Sequence, residues 1–318
     1  MNTINIDIKK MNKKLKKIKI NADAKNSISA NRKTQKRKHI ERLVEFIFLF
    51  CALVAIISVG TIAVFVFIKG MPALVEIGFL NFLTGKMWKP SAEVFGILPM
   101  ILSSLYVTIG AIVIGVPIGI LSAVFMAELA PKWMKKIIRP IIDLLAGIPS
   151  VVHGLFGLLV IVPFIKEHTN SLGGDSLLAA MIVLGIMILP TVISISESSI
   201  NQVPKTYKEA SLGMGASKIQ TIFKVIIPAA KSGIITAIVL GIGRAIGETM
   251  AVILVAGNAP QIPTKITDMG RTLTANIAME MNYAFGLHQE ALFATGVVLF
   301  CFIMLINIVL NIITRKDY

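Results

Sequence analysis

The chain has 318 residues, of which 55% are hydrophobic and only 15% charged, with a formal net charge of +15. A soluble globular chain carries roughly 25% charged residues, so this composition excludes an ordinary water-soluble domain. The basic excess comes with few aromatic residues (7%) and no recognisable nucleic-acid motif, which excludes nucleic acid as the expected partner.

Residues 1–42 form a polar tail with 14 Lys and Arg. It is not a cleavable signal peptide: the charged region is too long and no small-x-small site follows. The tail reads as a disordered orientation signal. Alternatively, Met11, Leu15 and Ile18 share one helical face amid lysines, which suits a helix lying on anionic lipid. Apolar runs long enough to cross hydrocarbon, about 20 residues each, fall at 43–68, 98–127, 141–165, 177–197, 233–256 and 288–313. Each must be helical, because lipid offers no partner to an unpaired backbone group. The second span carries Pro99 and Pro117 and is expected to be tilted, kinked or extended beyond the bilayer. Trp88 and Trp133 fall near predicted interfaces, where the indole suits the headgroup layer.

The third span contains Gly147 and Pro149, which break the helix because proline lacks an N–H and clashes with the preceding turn. The break is either a simple kink or a new helix start. A helix start would offer backbone N–H groups and the Ser150 hydroxyl to an anion. Asp143 lies nearer the end of that span and is expected to be interfacial or paired. In the fifth span, Arg244 stands four residues before Glu248 on one helical face. A central arginine costs roughly 2.5–3.5 kcal/mol and normally has a partner. The two residues are either an ion pair that fixes packing, or Arg244 faces an anion while Glu248 holds and orients it. Gly243 and Gly247, like Gly115 and Gly119, have the spacing of close helix packing. The loop 257–287 is the largest on its side and a candidate partner contact. Cys51 and Cys301 lie in separate spans and read as small buried packing residues, with no disulfide or metal role. No metal ligand cluster and no catalytic constellation is apparent.

Lys and Arg crowd the tail, the loops 128–140 and 198–232, and the C-terminus. The opposite side holds only Lys69, Lys86, Lys89, Lys166, Lys265 and Arg271. Both termini and the 198–232 loop are therefore expected to be cytoplasmic.

That loop contains Glu209-Ala210-Ser211, then Gly215 after three residues, then Val225-x-Ile227-Pro228 after nine more. It resembles the cytoplasmic EAA loop by which ABC-importer permeases grip their ATPase. The departures are Ser211 for Ala, Val225 for Ile and Ile227 for Leu. The segments WKPSAEVFGILP, MAELAPKW, LLAGIPSVVHGLFG and GIGRAIGETMAVILVAGN extend the resemblance over nearly all of residues 88–258. Together they are similar to the PstC-type permeases of bacterial high-affinity phosphate importers. His153 departs from the tyrosine expected there, and the first 42 residues lie outside the resemblance.

The resemblance implies an all-α membrane protein of the type I ABC importer permease fold, with six transmembrane helices and both termini cytoplasmic. Residues 1–42 would be a basic cytoplasmic tail, and 43–318 the permease domain with its coupling loop at about 205–228. Implied partners are a PstA-like permease subunit, a PstB-like ATPase dimer and an extracytoplasmic phosphate-binding protein. This chain has no phosphate-cradling G-x-x-x-x-G-K-[ST] motif. ATP and Mg would therefore be used by the partner ATPase, and no cofactor is expected here. Translocation would involve Arg244, Glu248, Ser150, Pro149 and Gly147. ATPase coupling would involve Glu209, Ala210, Ser211, Gly215, Val225, Ile227 and Pro228. A permease for molybdate or sulfate would keep the coupling loop and change the intramembrane residues. A secondary transporter would need no ATPase.

Overall fold

The computed structural model describes residues 41–169 and 173–315, so the lipid-binding reading of 9–20 lies outside them. The chain divides into two compact units, 1–64 and 65–318. In the first, the described residues 41–64 are helical and belong to α1 (Glu41–Ile77), and nearly all their apolar side chains are exposed. Cys51 is exposed there, as is Cys301 in the second unit, so neither thiol is the buried packing residue expected.

The second unit is built around α7 (Leu177–Asn201), an apolar helix whose N-terminus is capped by Ser176, with Oγ accepting from the Ala179 N–H at 3.2 Å. Its neighbour α3 (Leu98–Val124) continues through a π-helical turn at Phe125–Leu129. A Cβ at Gly115 would lie 2.7 Å from the Gly185 carbonyl oxygen, and one at Gly119 would lie 2.7 Å from Val192. Small residues here let the two backbones close up, as the spacing predicted. Pro99 is in the first turn of α3, where its missing N–H costs nothing, and Pro117 is internal. A second cluster joins residues 65–77 to α14 (Leu287–Arg315); a Cβ at Gly70 would lie 2.8 Å from Ala294 backbone.

Two spans differ from expectation. The third starts at Ser150, not 141. Residues 132–147 form a separate amphipathic helix, α4 (Lys132–Gly147), that ends before Ile148 and Pro149. After them α5 (Ser150–Phe156), a π turn and α6 (Val162–His168) run on as one candidate span. The fifth is interrupted once and follows a sharp bend. The segment Lys218–Ala229 meets α11 (Lys231–Gly247) at 70°, and α11 stops before Glu248, with α12 (Met250–Val255) following. By length and composition the described residues hold five helices able to cross a membrane, or six if the bent pair is one span.

Trp88 is also corrected. It is buried, in a short hairpin of β1 (Trp88–Lys89) and β2 (Val94–Phe95). Trp133, on α4, is exposed.

Candidate translocation path and docking turn

Residues 205–229 fold as a helix, a turn and a second helical stretch. α8 (Lys205–Gly213) carries Glu209, Ala210 and Ser211. Gly215 follows with φ +86°, and its N–H bonds the Leu212 carbonyl at 3.0 Å. That left-handed backbone reverses the chain, and glycine adopts it without strain. α9 (Lys218–Thr221) then begins with a capping box between Ser217 and Gln220. Ser211 and Thr221 are both buried, and their hydroxyls meet at 3.0 Å, locking α8 to α9. Val225 lies in the π turn Ile222–Ile226, and Ile227 and Pro228 open the short α10 (Ile227–Ala229). Glu209, Ala210 and Gly215 are exposed, beside the exposed apolar residues Tyr207, Leu212 and Met214.

The two helix breaks come together. A Cβ at Gly154, one turn into α5, would lie 2.8 Å from the Ala251 Cα in the first turn of α12. The breaks at Ile148–Pro149 and Glu248–Thr249 are thus on neighbouring helices. Gly147 and Pro149 are exposed and Ser150 is half-buried. Glu248 differs from expectation: it is outside the helical face of Arg244, in extended backbone, and its carboxylate is committed elsewhere. Its Oε1 accepts from the Thr249 and Ala251 N–H groups, each at 3.1 Å, and so caps α12. The i, i+4 reading failed because α11 ends between the two residues. Arg244 is half-buried, and its Nη1 donates to Thr191 Oγ1 at 3.3 Å. Among the described residues, nothing beyond the local helix lies within 4 Å of a Cβ at Gly147, Gly243 or Gly247. The 243/247 pair therefore packs against no described helix, and leaves open space beside Arg244.

Three charged contacts were not legible in the sequence. Arg139 on α4 donates to buried Glu197 on α7 at 2.7 Å and also meets Asp143 at 3.5 Å. Lys208 on α8 pairs with Glu128 in the π turn of α3. Glu280 is a third centre. Its carboxylate accepts from Trp88 Nε1 at 2.8 Å and from Arg271 Nη1 at 2.5 Å, and meets His288 Nε2 at 2.8 Å. A carboxylate at the end of an apolar span, as Glu197 is, was the available signal. Charged partners 58 and 80 residues apart, and a Trp88 donor 192 residues from Glu280, carry no local signature.

Around Glu280, Arg271 Nε also bonds the Asn258 carbonyl at 2.8 Å, and Gly257 bridges to Gly270, so the loop 257–270 is pinned at its base. Asp268 accepts from the Lys265 N–H and from the Thr264 hydroxyl and N–H, which hold its carboxyl below the usual carboxylate range. That anchor is complete above about pH 4, and is lost only as pH falls through the lowered folded value. Burial, then the Glu280 charge, pushes the Tyr283 phenol up. Replacing Glu280 by Ala strands the nearly buried Arg271, and should cost about 3 kcal/mol or more locally. Faster amide exchange through residues 257–280, with α7 unchanged, is the expected readout; unchanged exchange would show the carboxylate to be dispensable.

The family of binding-protein-dependent transport system inner membrane components matches residues 115–316. The chain belongs to that family. It is similar to a probable ABC transporter permease of Bacillus subtilis, YqgH: 43% identical, over 81% of this chain and 86% of that one. It is also similar to phosphate transport system permease proteins PstC. That of Mesorhizobium japonicum is 36% identical over 80% of this chain and 84% of its own length. That of Haemophilus influenzae is 32% identical over 91% and 98%. Among solved structures, the inward-facing MetNI methionine ABC transporter matches with a TM-score of 0.57, at 19% identity over 73% of this chain and 100% of that one. A bacterial alginate ABC importer matches with 0.55, at 14% identity over 69% and 79%. These structures establish the fold, that of ABC importer permeases. As a family member the chain is a membrane transport subunit.

Proposed function

We propose that the chain is the PstC-type permease subunit of an ATP-driven importer that carries inorganic phosphate into the cell by alternating access. The observation that carries the substrate is the likeness, over about four fifths of the chain, to proteins described as phosphate transport permeases. A half-buried Arg244, one turn before the helix break at Glu248, accords with an anionic cargo. Phosphate carries about −1.5 to −2 charges near neutral pH, by analogy with phosphoryl groups, so fixed positive charge along its path offsets its dehydration.

In this reading α8 and the Gly215 turn face the cytoplasm and dock on a PstB-like ATPase dimer. The tail 1–42 lies on the same side. A PstA-like subunit completes the permease, and an extracytoplasmic phosphate-binding protein delivers the anion opposite. ATP and Mg belong to the ATPase. The chain itself supplies the path: Arg244 presents a cation, the Ser150 hydroxyl and the N–H groups around the Pro149 break present donors, and Glu248 holds α12 in place. The test is reconstitution of the complete complex in proteoliposomes. Phosphate uptake should require ATP, and phosphate should be preferred over molybdate and sulfate in competition. Uptake by this chain alone, or preference for another oxyanion, would overturn the reading.

A further inference from the structure

If α8 receives the ATPase, as just proposed, its displacement has to reach the membrane helices. Along one side α8 is not packed against them. A groove of about 390 Å³ separates it from the ends of α3 and α7, lined by Ala127, Glu128, Ile200, Lys205, Lys208 and Leu212 among others. A helix that borders a groove makes fewer direct contacts with its neighbour there, and moves with less direct mechanical connection to it. One side-chain link does cross. Lys208 Nζ pairs with the Glu128 carboxylate, joining positions 80 apart in sequence. The Glu128 side chain is only 12% exposed and that of Lys208 35% exposed, so the pair is screened less than a surface one.

Adjacent in sequence, Lys208 and Glu209 have different surroundings. Both border the groove, but Glu209 is exposed, whereas the half-buried Lys208 reaches Glu128. Glu128 in turn sits in the π turn of α3, where the Ala130 N–H reaches back five residues to the Phe125 carbonyl at 2.7 Å. A π turn holds one residue more than an α turn. Converting it rotates the downstream residues by roughly 100°, so it is a soft point in an otherwise stiff helix. Ser211 and Thr221 fix the other side of α8 to the next helix.

We propose that the Glu128–Lys208 pair is the strut that carries displacement of the docking helix into α3. Both are positioning residues: neither touches phosphate, and neither is an ATPase contact. Without the pair the docking helix follows the ATPase while α3 lags, so ATP is hydrolysed without transport.

The experiment uses the assembled complex in proteoliposomes and reads phosphate taken up per ATP hydrolysed. Glu128→Gln and Lys208→Met should each lower that ratio about tenfold, within the usual range of coupling energies. Copurification of the ATPase and its hydrolysis rate should be retained. The exchanged pair, Glu128→Lys with Lys208→Glu, should recover most of the parental ratio, which a loss of general stability would not allow. A parental ratio in the single variants overturns the proposal. So does an exchanged pair no better than the singles, and so does loss of the ATPase from Lys208→Met, which would make Lys208 a direct contact. Failure of either single variant to reach the membrane makes the pair structural and also overturns it. Failure of the underlying coupling reading looks different: the unmodified chain itself would then show no ATP-dependent uptake.

Discussion

Arg244→Gln is expected to abolish phosphate uptake, by about a hundredfold or more, while leaving the complex assembled. The magnitude follows from the roughly 2.5–3.5 kcal/mol at stake when one charge is desolvated at mid-bilayer, at about 1.4 kcal/mol per tenfold. Arg244 is half-buried and, among the described residues, keeps a single 3.3 Å hydrogen bond to Thr191, so part of its donor set is not used there. Arg244→Lys keeps the charge and loses the planar fork that suits phosphate oxygens, so it should retain a fraction of transport. Thr191→Val tests the opposite idea, that the hydrogen bond between helices is what matters; it should cost little. Glu248 separates from Arg244 in the same experiment. A glutamine side chain there still offers an oxygen to the Thr249 and Ala251 N–H groups, so Glu248→Gln should transport nearly as well as the parent. Labelled phosphate uptake, with copurification as the assembly check, decides. Normal uptake by Arg244→Gln would remove this residue from the path, and collapse of Glu248→Gln would put its charge there.

The legibility of this molecule divides along local and long-range information. Membrane class, helical architecture and most span positions follow from the length of apolar runs and the impossibility of unpaired backbone in lipid. Gly215 was legible because a turn between two helices requires a residue tolerant of positive φ. The helix end at Gly147 was legible from Pro149. The end at Gly247 was not, because no proline marks it: Glu248 leaves the helix and caps the next one, and an i, i+4 rule presupposes a continuous helix. Gly243 and Gly247 carried the spacing of a packing motif, yet they face open space, because spacing states what is permitted and not which partner is present. Trp88 was misplaced for a similar reason. An indole suits an interface and a buried hydrogen-bonding site equally, and the partner that decides, Glu280, lies 192 residues away. The assembly of the two helix breaks, the Glu280 centre and the Lys208–Glu128 link are products of tertiary folding alone.

Gly215→Trp should insert normally and yet lose phosphate uptake at least about tenfold, because two separate effects meet at this position. The first is conformational. Gly215 holds φ +86°, and an ordinary side chain there costs about 1–2 kcal/mol. The second is steric and lies outside the chain. Among the described residues nothing lies within 4 Å of a Cβ at 215, so they accommodate a side chain, and any obstruction comes from what covers this surface. Two further substitutions separate the effects. Gly215→Ala carries the strain with almost no bulk, and should reduce uptake only modestly. Gly215→Asn tolerates the left-handed backbone but projects a side chain outward. If the turn alone matters, Asn should outperform Ala. If the covered surface matters, Asn should fall below Ala, with Trp lowest and its ATPase no longer copurifying. The neighbouring Met214 and Leu212 are exposed apolar residues, so the second order, Ala above Asn above Trp, is the expected one. Parental uptake by Gly215→Trp, measured in the same vesicles, would mean that the 205–229 turn is not where the ATPase binds.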